Sequence, residues 1–180
     1  MAIGATIHTF TGQLADVDRG VYDDLALRVA RHASETNAFM LTRVLAYCLE
    51  FAEGIAFSDG IASTDEPAVL VRDPTGRVTS WIEVGAPDSA RLHYGAKLAD
   101  RAVVYTHRDP AKVVAAWQGK PLHRAEDLVV RSFGPGFVDA ATSAIERRNT
   151  ITVSVTEGHL YLELNGRTFD APIIETRARP

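Results

Sequence analysis

The sequence predicts a mixed α/β (α+β) fold, a single domain over residues 1–180 in which a mixed central β-sheet is flanked by helices. Two observations lead to this prediction. Stretches with alternating or continuous apolar residues are interspersed along the chain with stretches whose apolar residues recur at helical spacing. The 180 residues are 46% hydrophobic and 23% charged, as in a globular domain with one core. No internal repeat or low-complexity linker interrupts the chain.

The first third of the chain predicts one strand and two helices. Residues 5–14 alternate loosely between apolar and polar, which is typical of a half-covered strand. Between residues 19 and 32 apolar side chains recur at helical spacing, which predicts a first helix. A broad apolar stripe over 41–52 predicts a second, central helix with Ser34 as its N-cap and Gly54 as its stop.

The middle third predicts a hairpin followed by a crossover. Residues 68–84 contain two apolar runs around the turn at 73–76, which has Pro and Gly where a chain reversal favours them. A third helix, capped by Asp88 and running to about residue 101, leads to a buried strand at 102–105. The small-residue face of this helix, which we expect to lie close on the sheet, consists of Leu92, Gly95, Ala96 and Ala99.

The last third predicts two further helices and an antiparallel meander. In order along the chain, these elements are a short helix at 112–118, a buried strand at 127–130, a helix at 136–148, and strands at 150–155, 160–164 and 167–169. Asn165-Gly166 is a strong signal for a two-residue type I′ turn, because both positions tolerate positive φ. The C-terminal strands should therefore form hairpins.

Composition narrows the classes of function. A formal net charge of −4 and a pI near 5.8 argue against an indiscriminate nucleic-acid binder, although a local basic groove is compatible with them. A single cysteine, Cys48, forms no internal disulfide, and its place in the apolar stripe predicts a core residue. No apolar run approaches the roughly 18 residues of a membrane span, and the start lacks a signal-like pattern. We expect a soluble cytoplasmic protein.

The candidate functional residues are mostly acidic. The sequence has no Gly-rich phosphate loop, no Gly-x-Ser-x-Gly elbow and no His-Glu-x-x-His pair, so nucleophilic and zinc chemistry are not expected. Carboxylates instead lie at the edges of predicted elements. These are Glu35, Asp65, Glu66, Glu83 and Asp88.

Glu83 is the most informative of them. Alternation in the strand places it on the same face as Trp81, near the middle of the sheet, where an unpaired carboxylate would cost several kcal/mol. One interpretation is an ion pair with Arg91 or another arginine. The other is a Mg²⁺ site shared with Asp65 or Glu66, because Mg²⁺ takes one or two protein carboxylates together with water and phosphate.

The basic residues leave similar alternatives. Arg43 lies two helical turns beyond Glu35 on nearly the same face, so it either reaches a phosphate there or pairs with Glu35 or Glu50. Arg147 and Arg148, near a predicted helix C-terminus, are expected to compensate the helix dipole rather than to contact nucleic acid. His32 and His107 are the histidines best placed as bases or ligands, and a solvated side chain is the commoner case.

Several motifs together resemble one family. They are Asp16-Val-Asp18-Arg-Gly20, Ala30-Arg-His-Ala-Ser-Glu-Thr36, Arg43-Val-Leu-Ala46, Asp65-Glu-Pro67, and Trp81-Ile-Glu-Val-Gly85 running into Pro87-Asp88 and Arg91. In order and spacing the chain resembles the bacterial YaeQ family. The distinctive motifs lie within about residues 1–106, and the remainder is similar in length and in its alternating C-terminal strands.

The resemblance implies a restriction-endonuclease-like fold, related to the PD-(D/E)xK nucleases that cut phosphodiesters with Mg²⁺. It assigns Glu35 as the helix acid, Asp65 or Glu66 as the acid before the hairpin, and Glu83 as the acid of the (D/E)xK element. These four residues are the metal ligands that the resemblance implies. Such a cation would polarise the scissile phosphate and lower the pKa of a bound water.

The sequence departs from the nuclease pattern at the lysine. Gly85 stands two residues after Glu83, and the basic residue of the following helix is Arg91, which does not accept a proton at neutral pH. His93 and Tyr94 take the next positions, and Lys97 lies six residues beyond Arg91, on another side of the helix.

Two hypotheses follow. The first is a Mg²⁺-dependent nuclease or phosphodiesterase acting on nucleic acid. Its catalytic residues would be Glu35, Glu66, Glu83, Arg91 and, less favourably placed, Lys97. The second is a non-catalytic binding or regulatory module in which arginines neutralise the acids, with a partner that the sequence does not identify.

Overall fold

The computed structural model describes residues 4–58 and 65–179. Its strands are β1 Thr6–Asp16, β2 Val21–Arg31, β3 Ile55–Phe57, β4 Val69–Arg72, β5 Val78–Val84, β6 Arg101–Thr106, β7 Val129–Phe133, β8 Arg148–Thr156, β9 His159–Leu164 and β10 Arg167–Arg177. Its helices are α1 Asn37–Leu49, α2 Ser89–Leu98, α3 Pro110–Ala115 and α4 Phe137–Thr142, with a 3-10 turn at Ala125–Asp127. The mixed α+β class predicted from sequence is confirmed.

Contacts divide the chain into two compact units. The first unit consists of Met1–Leu41 and Phe133–Ile173, and the second consists of Thr42–Ser132 and Ile174–Pro180. The prediction of one domain over the whole chain stays a prediction.

The first unit contains strands in the order β2-β1-β8-β9-β10. β1 pairs parallel with β8, and the remaining neighbours are antiparallel. The predicted C-terminal meander is confirmed, since β8, β9 and β10 follow one another as antiparallel neighbours. Asn165 and Gly166 connect the last two strands with φ of 52° and 82°, as a type I′ turn requires.

The helix predicted over residues 19–32 is wrong, because this segment is strand β2. Leu25, Leu27 and Val29 are buried with a period of two, whereas Tyr22, on the supposed helical stripe, is 63% exposed. Eleven consecutive residue pairs with β1 outweigh the local helical pattern. Alanines and charged residues alternate with the buried residues of β2. Because alanine suits both a helical and a strand pattern, the sequence was compatible with a period of 3.6 as well as a period of two.

Two other helix predictions need correction. α1 begins at Asn37, and its first turn is capped by Thr36, whose hydroxyl accepts a hydrogen bond from Phe39 N at 3.0 Å. Ser34, the predicted cap, instead contacts the His32 ring. α1 ends at Leu49 and so stops short of Gly54, whose φ of 89° belongs to the turn before β3.

The predicted helix at 136–148 is also too long, because α4 ends at Thr142. Arg148 starts strand β8, and Arg147 donates from Nε to the carbonyl of Ile7 at 3.1 Å. Neither arginine compensates a helix dipole, because neither lies in a helix.

The second unit contains strands in the order β7-β6-β5-β4-β3. The predicted hairpin is β4 and β5, which pair antiparallel, and the predicted crossover is confirmed because β5, β6 and β7 are all parallel. Strand β3, at three residues, is too short for its pattern to be recognised in the sequence.

Helix α2 packs on one face of this sheet. Its Leu92 belongs to a buried cluster with residues of β6, β7, α3 and the loop that follows α3. The cluster consists of Leu92, Val104, Val113, Trp117, Leu122, Ala125, Leu128, Val130 and Ala178. α2 is therefore packed on strands β6 and β7 through this cluster.

Candidate functional site

The candidate site lies where strand β5 ends beneath helix α2. Glu83 is the next-to-last residue of β5 and pairs in register with Val104 of the parallel strand β6. Gly85 then turns the chain with φ of 90°, and its N–H donates to the carbonyl of Tyr105 at 2.8 Å. In sheets of this kind, ligands bind beyond the carboxyl ends of the strands.

Glu83 faces Arg91 across a short ion pair. Arg91 Nε donates to Glu83 Oε2 at 2.8 Å, and another guanidinium nitrogen donates to the backbone carbonyl of Glu66. The side chain of Glu83 is 5% exposed and that of Arg91 is 24% exposed. The arginine thus covers the carboxylate and ties the segment before β4 to α2.

The N-terminal turn of α2 positions Arg91 next to Glu83. Asp88 is the N-cap, and its carboxylate accepts a hydrogen bond from the backbone N–H of Arg91 at 2.8 Å. Gly95 packs directly on Trp81, since a Cβ at this glycine would lie 2.3 Å from the indole ring. The expectation that the small-residue face lies close on the sheet holds here because only a glycine leaves room for Trp81.

The carboxylate of Glu83 is only partly compensated. Within the described residues, Oε1 of Glu83 and Nε1 of Trp81 are buried and make no hydrogen bond of normal geometry. Burial raises the pKa of Glu83 above its ordinary value of 4.5, although the Arg91 guanidinium and the indole N–H beside it act in the opposite direction. Burial therefore outweighs the stabilisation that Arg91 and Trp81 give to the charged form of Glu83.

The other predicted acids of the second unit are arranged differently. Glu66 directs its carboxylate to Arg72, with Oε1 2.8 Å from Nη2, so its contribution to the Glu83 site is its backbone carbonyl. Asp65 is exposed. Lys97 is exposed in the last turn of α2, whereas Arg91 points inward, as the spacing of the two residues predicted.

Glu35 belongs to the first unit, in the segment between β2 and α1. Its side chain is buried, and its backbone carbonyl accepts a hydrogen bond from Arg31 at 2.7 Å. Arg43, in α1, is buried as well, and its guanidinium lies 5.7 Å from the ring of Phe57. Glu50, the other acid considered for Arg43, pairs with Arg101 at 2.7 Å.

Glu83 is one of the four acids that were expected to bind Mg²⁺. In residues 4–58 and 65–179, no three or more His, Cys, Asp or Glu side chains form a group that could hold a metal ion. Mg²⁺, however, needs only one or two protein carboxylates when water and phosphate complete its shell. Glu83 is one such carboxylate, and the negative charge of Asp88 acts on it.

Sequence reasoning missed two parts of the site. Arg72 was not considered as a partner for Glu66, because their contact depends on how the segment before β4 lies along that strand. Trp81 was placed on the face of Glu83 but was given no role. Its bulk opposite Gly95 was the available signal, since a large ring and a glycine on facing elements indicate close packing.

The fold and site together define a class: a mixed α+β protein with a buried carboxylate–arginine pair at the ends of parallel strands. The sequence matches the family model described as "YaeQ protein" over residues 1–172. The chain belongs to the YaeQ family.

Individual relatives agree with this assignment. The chain is 29% identical to "Uncharacterized protein YaeQ" of Salmonella typhi over 164 residues, which is 90% of both chains. It is 35% identical to "Uncharacterized protein YaeQ" of Escherichia coli (strain K12) over 118 residues, 66% of this chain and 65% of the relative.

Solved structures of the family have the same fold. The crystal structure of YaeQ protein from Xanthomonas axonopodis pv. citri superposes with a TM-score of 0.85 at 26% identity, covering 96% of this chain and 98% of the other. The crystal structure of YaeQ protein from Pseudomonas syringae gives 0.83 at 27% identity, covering 95% of each chain. Among the described residues, no helix is long and apolar enough to cross a membrane.

Proposed function

We propose that the protein is a binding or regulatory module that keeps a nuclease-like fold without cutting phosphodiesters. The observation that carries this proposal is the contact of Arg91 with Glu83, in which a guanidinium takes the position beside the carboxylate that a catalytic cation would need. Arg72 neutralises Glu66 in the same way at 2.8 Å. Two of the acids assigned as ligands in this unit, Glu83 and Glu66, are thus engaged by arginines.

The missing lysine supports the same proposal. Gly85 occupies the position where the nuclease pattern has a lysine, and Arg91 remains protonated at neutral pH. A guanidinium there stabilises negative charge but does not activate a water molecule as a base. A reducing compartment suits the single buried cysteine, Cys48, so the proposed place of action is the cytoplasm.

A specific observation favours a second candidate, a Mg²⁺-dependent nuclease or phosphodiesterase. Oε1 of Glu83 makes no hydrogen bond of normal geometry within the described part of the chain, and the charge of Asp88 acts to raise the pKa of Glu83. A cation at Glu83 would bind that oxygen. In this candidate, Mg²⁺ would polarise a phosphate while Arg91 stabilises the charge that develops on it.

Cleavage assays decide between the two candidates. Purified protein is incubated with single- and double-stranded DNA and RNA in Mg²⁺ and in Mn²⁺, beside Glu83→Gln and the exposed control Glu53→Gln. The binding module predicts no cleavage by the wild type above that of Glu83→Gln. Cleavage by the wild type and by Glu53→Gln that disappears in Glu83→Gln would establish the nuclease instead.

A further inference from the structure

Strand β2 forms an open edge of the first unit. It spans Val21–Arg31 and pairs with β1 over its whole length without a shift in register. Among the described residues, no strand pairs with its other side. An edge strand of this length presents a row of backbone N–H and C=O groups to which another strand can add.

The sequence of β2 lacks the features that usually protect such an edge. Natural proteins prevent edge-to-edge pairing with short strands, lysines, prolines, bulges or inward-pointing charges. β2 contains no lysine or proline, and its buried side chains, Leu25, Leu27 and Val29, are apolar. β3, the edge strand of the second unit, is by contrast only three residues long. The edge at β2 is therefore suited to pairing.

Alternate residues of β2 direct their backbone hydrogen-bonding groups away from β1. Thr9 of β1, which pairs with Arg28, donates its N–H to the residue before β8 at 2.9 Å, and so it bonds on the side opposite β2. The N–H of Asp24 agrees with this pattern, since it donates to the side chain of Asp23 at 2.8 Å. Because antiparallel pairs alternate, Asp24, Ala26 and Arg28 all present their N–H and C=O groups to an added strand.

The charges of these outward residues complement a second copy of the same strand. The side chains of Asp24, Ala26 and Arg28 lie together on the exposed face of the sheet. When two copies of β2 pair antiparallel about Ala26, Asp24 of each copy lies directly opposite Arg28 of the other. Centring the pair on Asp24 or on Arg28 would place like charges opposite each other. The charges thus select one register.

We propose that β2 is a self-association surface, on which a second copy of this chain pairs antiparallel about a two-fold axis at Ala26. Both copies use the same residues, as a two-fold interface requires. The exposed hydrogen bond between Asp23 and the N–H of Asp24 would be replaced by one to the carbonyl of Arg28 of the second copy. A single strand pair is a small interface, so association should depend on protein concentration. The inference involves neither Glu83 nor Arg91 and is independent of the proposed function.

Charge reversal tests the proposed register. Sedimentation velocity over micromolar to millimolar concentrations of the whole chain measures the dissociation constant of the dimer. Asp24→Arg and Arg28→Asp each make both cross-strand pairs repulsive, so each should weaken dimerisation by at least about tenfold. Glu163→Arg, at an exposed acid of β9, changes the charge equally away from the edge and should dimerise as the wild type does.

Mixing the two variants gives the sharpest test. In a pair of Asp24→Arg with Arg28→Asp, two arginines of one chain face two aspartates of the other, and both cross-strand pairs are attractive again. The mixture should form a heterodimer with nearly the wild-type affinity, although each variant alone associates weakly. Circular dichroism melting curves establish that each variant is folded.

A cysteine at the two-fold axis tests the register without relying on charge. Opposite Cα atoms of a hydrogen-bonded antiparallel pair lie about 5.5 Å apart, within the range of a disulfide. Ala26→Cys should therefore give a disulfide-linked dimer under mild oxidation, whereas Thr152→Cys, exposed in β8, should not. Cys48 is buried and does not compete.

Three results would overturn the inference. The first is a chain that stays monomeric at millimolar concentration. The second is a dimer whose dissociation constant Asp24→Arg leaves unchanged. The third is a mixture of the two charge-reversal variants that associates no better than either variant alone.

Discussion

Two buried carboxylates in this protein, Asp16 and Glu83, are each paired with one arginine, and their surroundings differ. Asp16, at the end of β1, is 3% exposed and accepts from both the backbone N–H and Nε of Arg19, at 3.1 and 2.7 Å. Its two oxygens are thus satisfied within three residues of chain. Glu83 is 4% exposed, and its arginine, eight residues away, contacts one oxygen.

This difference suggests that Asp16 has a structural role in a turn, whereas Glu83 is a candidate for binding a ligand. Asp16 stabilises the reversal between β1 and β2, and a local hydrogen-bonding pattern of this kind needs no outside ligand. Glu83 depends on a partner brought by another element, and among the described residues its Oε1 makes no hydrogen bond of normal geometry. A buried polar atom without a well-formed hydrogen bond lowers the stability of the folded state, and a bound ligand can restore that stability.

The largest effect on stability is expected when the arginine of each pair is removed. Arg91→Ala strands the buried charge of Glu83, so we expect it to lower the free energy of unfolding by about 3 kcal/mol. Arg19→Ala leaves Asp16 with its backbone hydrogen bond and removes a side chain that is 37% exposed, so its cost should be about 1 kcal/mol. Urea unfolding followed by circular dichroism measures both. Equal losses would mean that the two sites are equivalent.

Crowding α2 affects only the Glu83 site. The added methyl group of Gly95→Ala would meet the Trp81 ring at 2.3 Å, and the forced shift of α2 should cost about 2 kcal/mol. Gly4→Ala meets nothing within 4 Å and serves as the control. Thermal melting compares the two variants, and a wild-type melting temperature for Gly95→Ala would contradict the close packing.

The pH dependence of stability gives a finer test of Glu83. Because burial raises its pKa above 4.5, the folded chain keeps a proton that the unfolded chain releases as the pH rises above that value. The protonated acid therefore favours folding below about pH 4.5, and this contribution is lost as the pH rises through the folded pKa.

Glu83→Gln removes that titration. We expect its melting temperature to rise relative to wild type as the pH increases above about 4.5. Glu53→Gln, an exposed substitution in the same unit, should show no such trend. A difference between wild type and Glu83→Gln that stays constant above about pH 4.5 would show that the buried acid does not titrate there.

The smallest effect is expected at an exposed pair. Arg77 contacts both carboxylate oxygens of Asp100, at 2.9 and 2.8 Å, yet the two side chains are 51% and 63% exposed. Because solvent and salt screen such pairs, Asp100→Asn should leave the melting temperature nearly unchanged. The change in melting temperature should be smallest in high salt. A loss as large as that of Arg91→Ala would show that burial does not set the importance of these pairs.

Local patterns predicted much of the fold. The β4–β5 hairpin, the α2 crossover and the C-terminal meander were each predicted, because turn residues, caps and apolar runs in these segments agree with their tertiary surroundings. The segment 21–31 failed for the opposite reason. Its apolar residues satisfy helical and strand periods at once, and the pairing with β1 decided between them.

The candidate site was predicted in part. Alternation placed Glu83 on the face of Trp81, and Arg91 was named as its partner in one of two interpretations. The structure brings those two together and directs Glu66 to Arg72. The six-residue spacing between Arg91 and Lys97 already indicated that the two side chains lie on different sides of the helix. Which arginine meets which acid depended on contacts between elements, which no local pattern contains.

The sequence by itself determined the class of fold, the family and the identity of the buried acid, because periodicity, turn chemistry and motif order are properties of neighbouring residues. The tertiary structure alone decided that β2 is a strand and that the buried carboxylate of Glu83 is covered by Arg91. These features arise from strand pairing and from burial between packed elements. Their free energies depend on residues distant in the chain, and so they follow only from the folded arrangement.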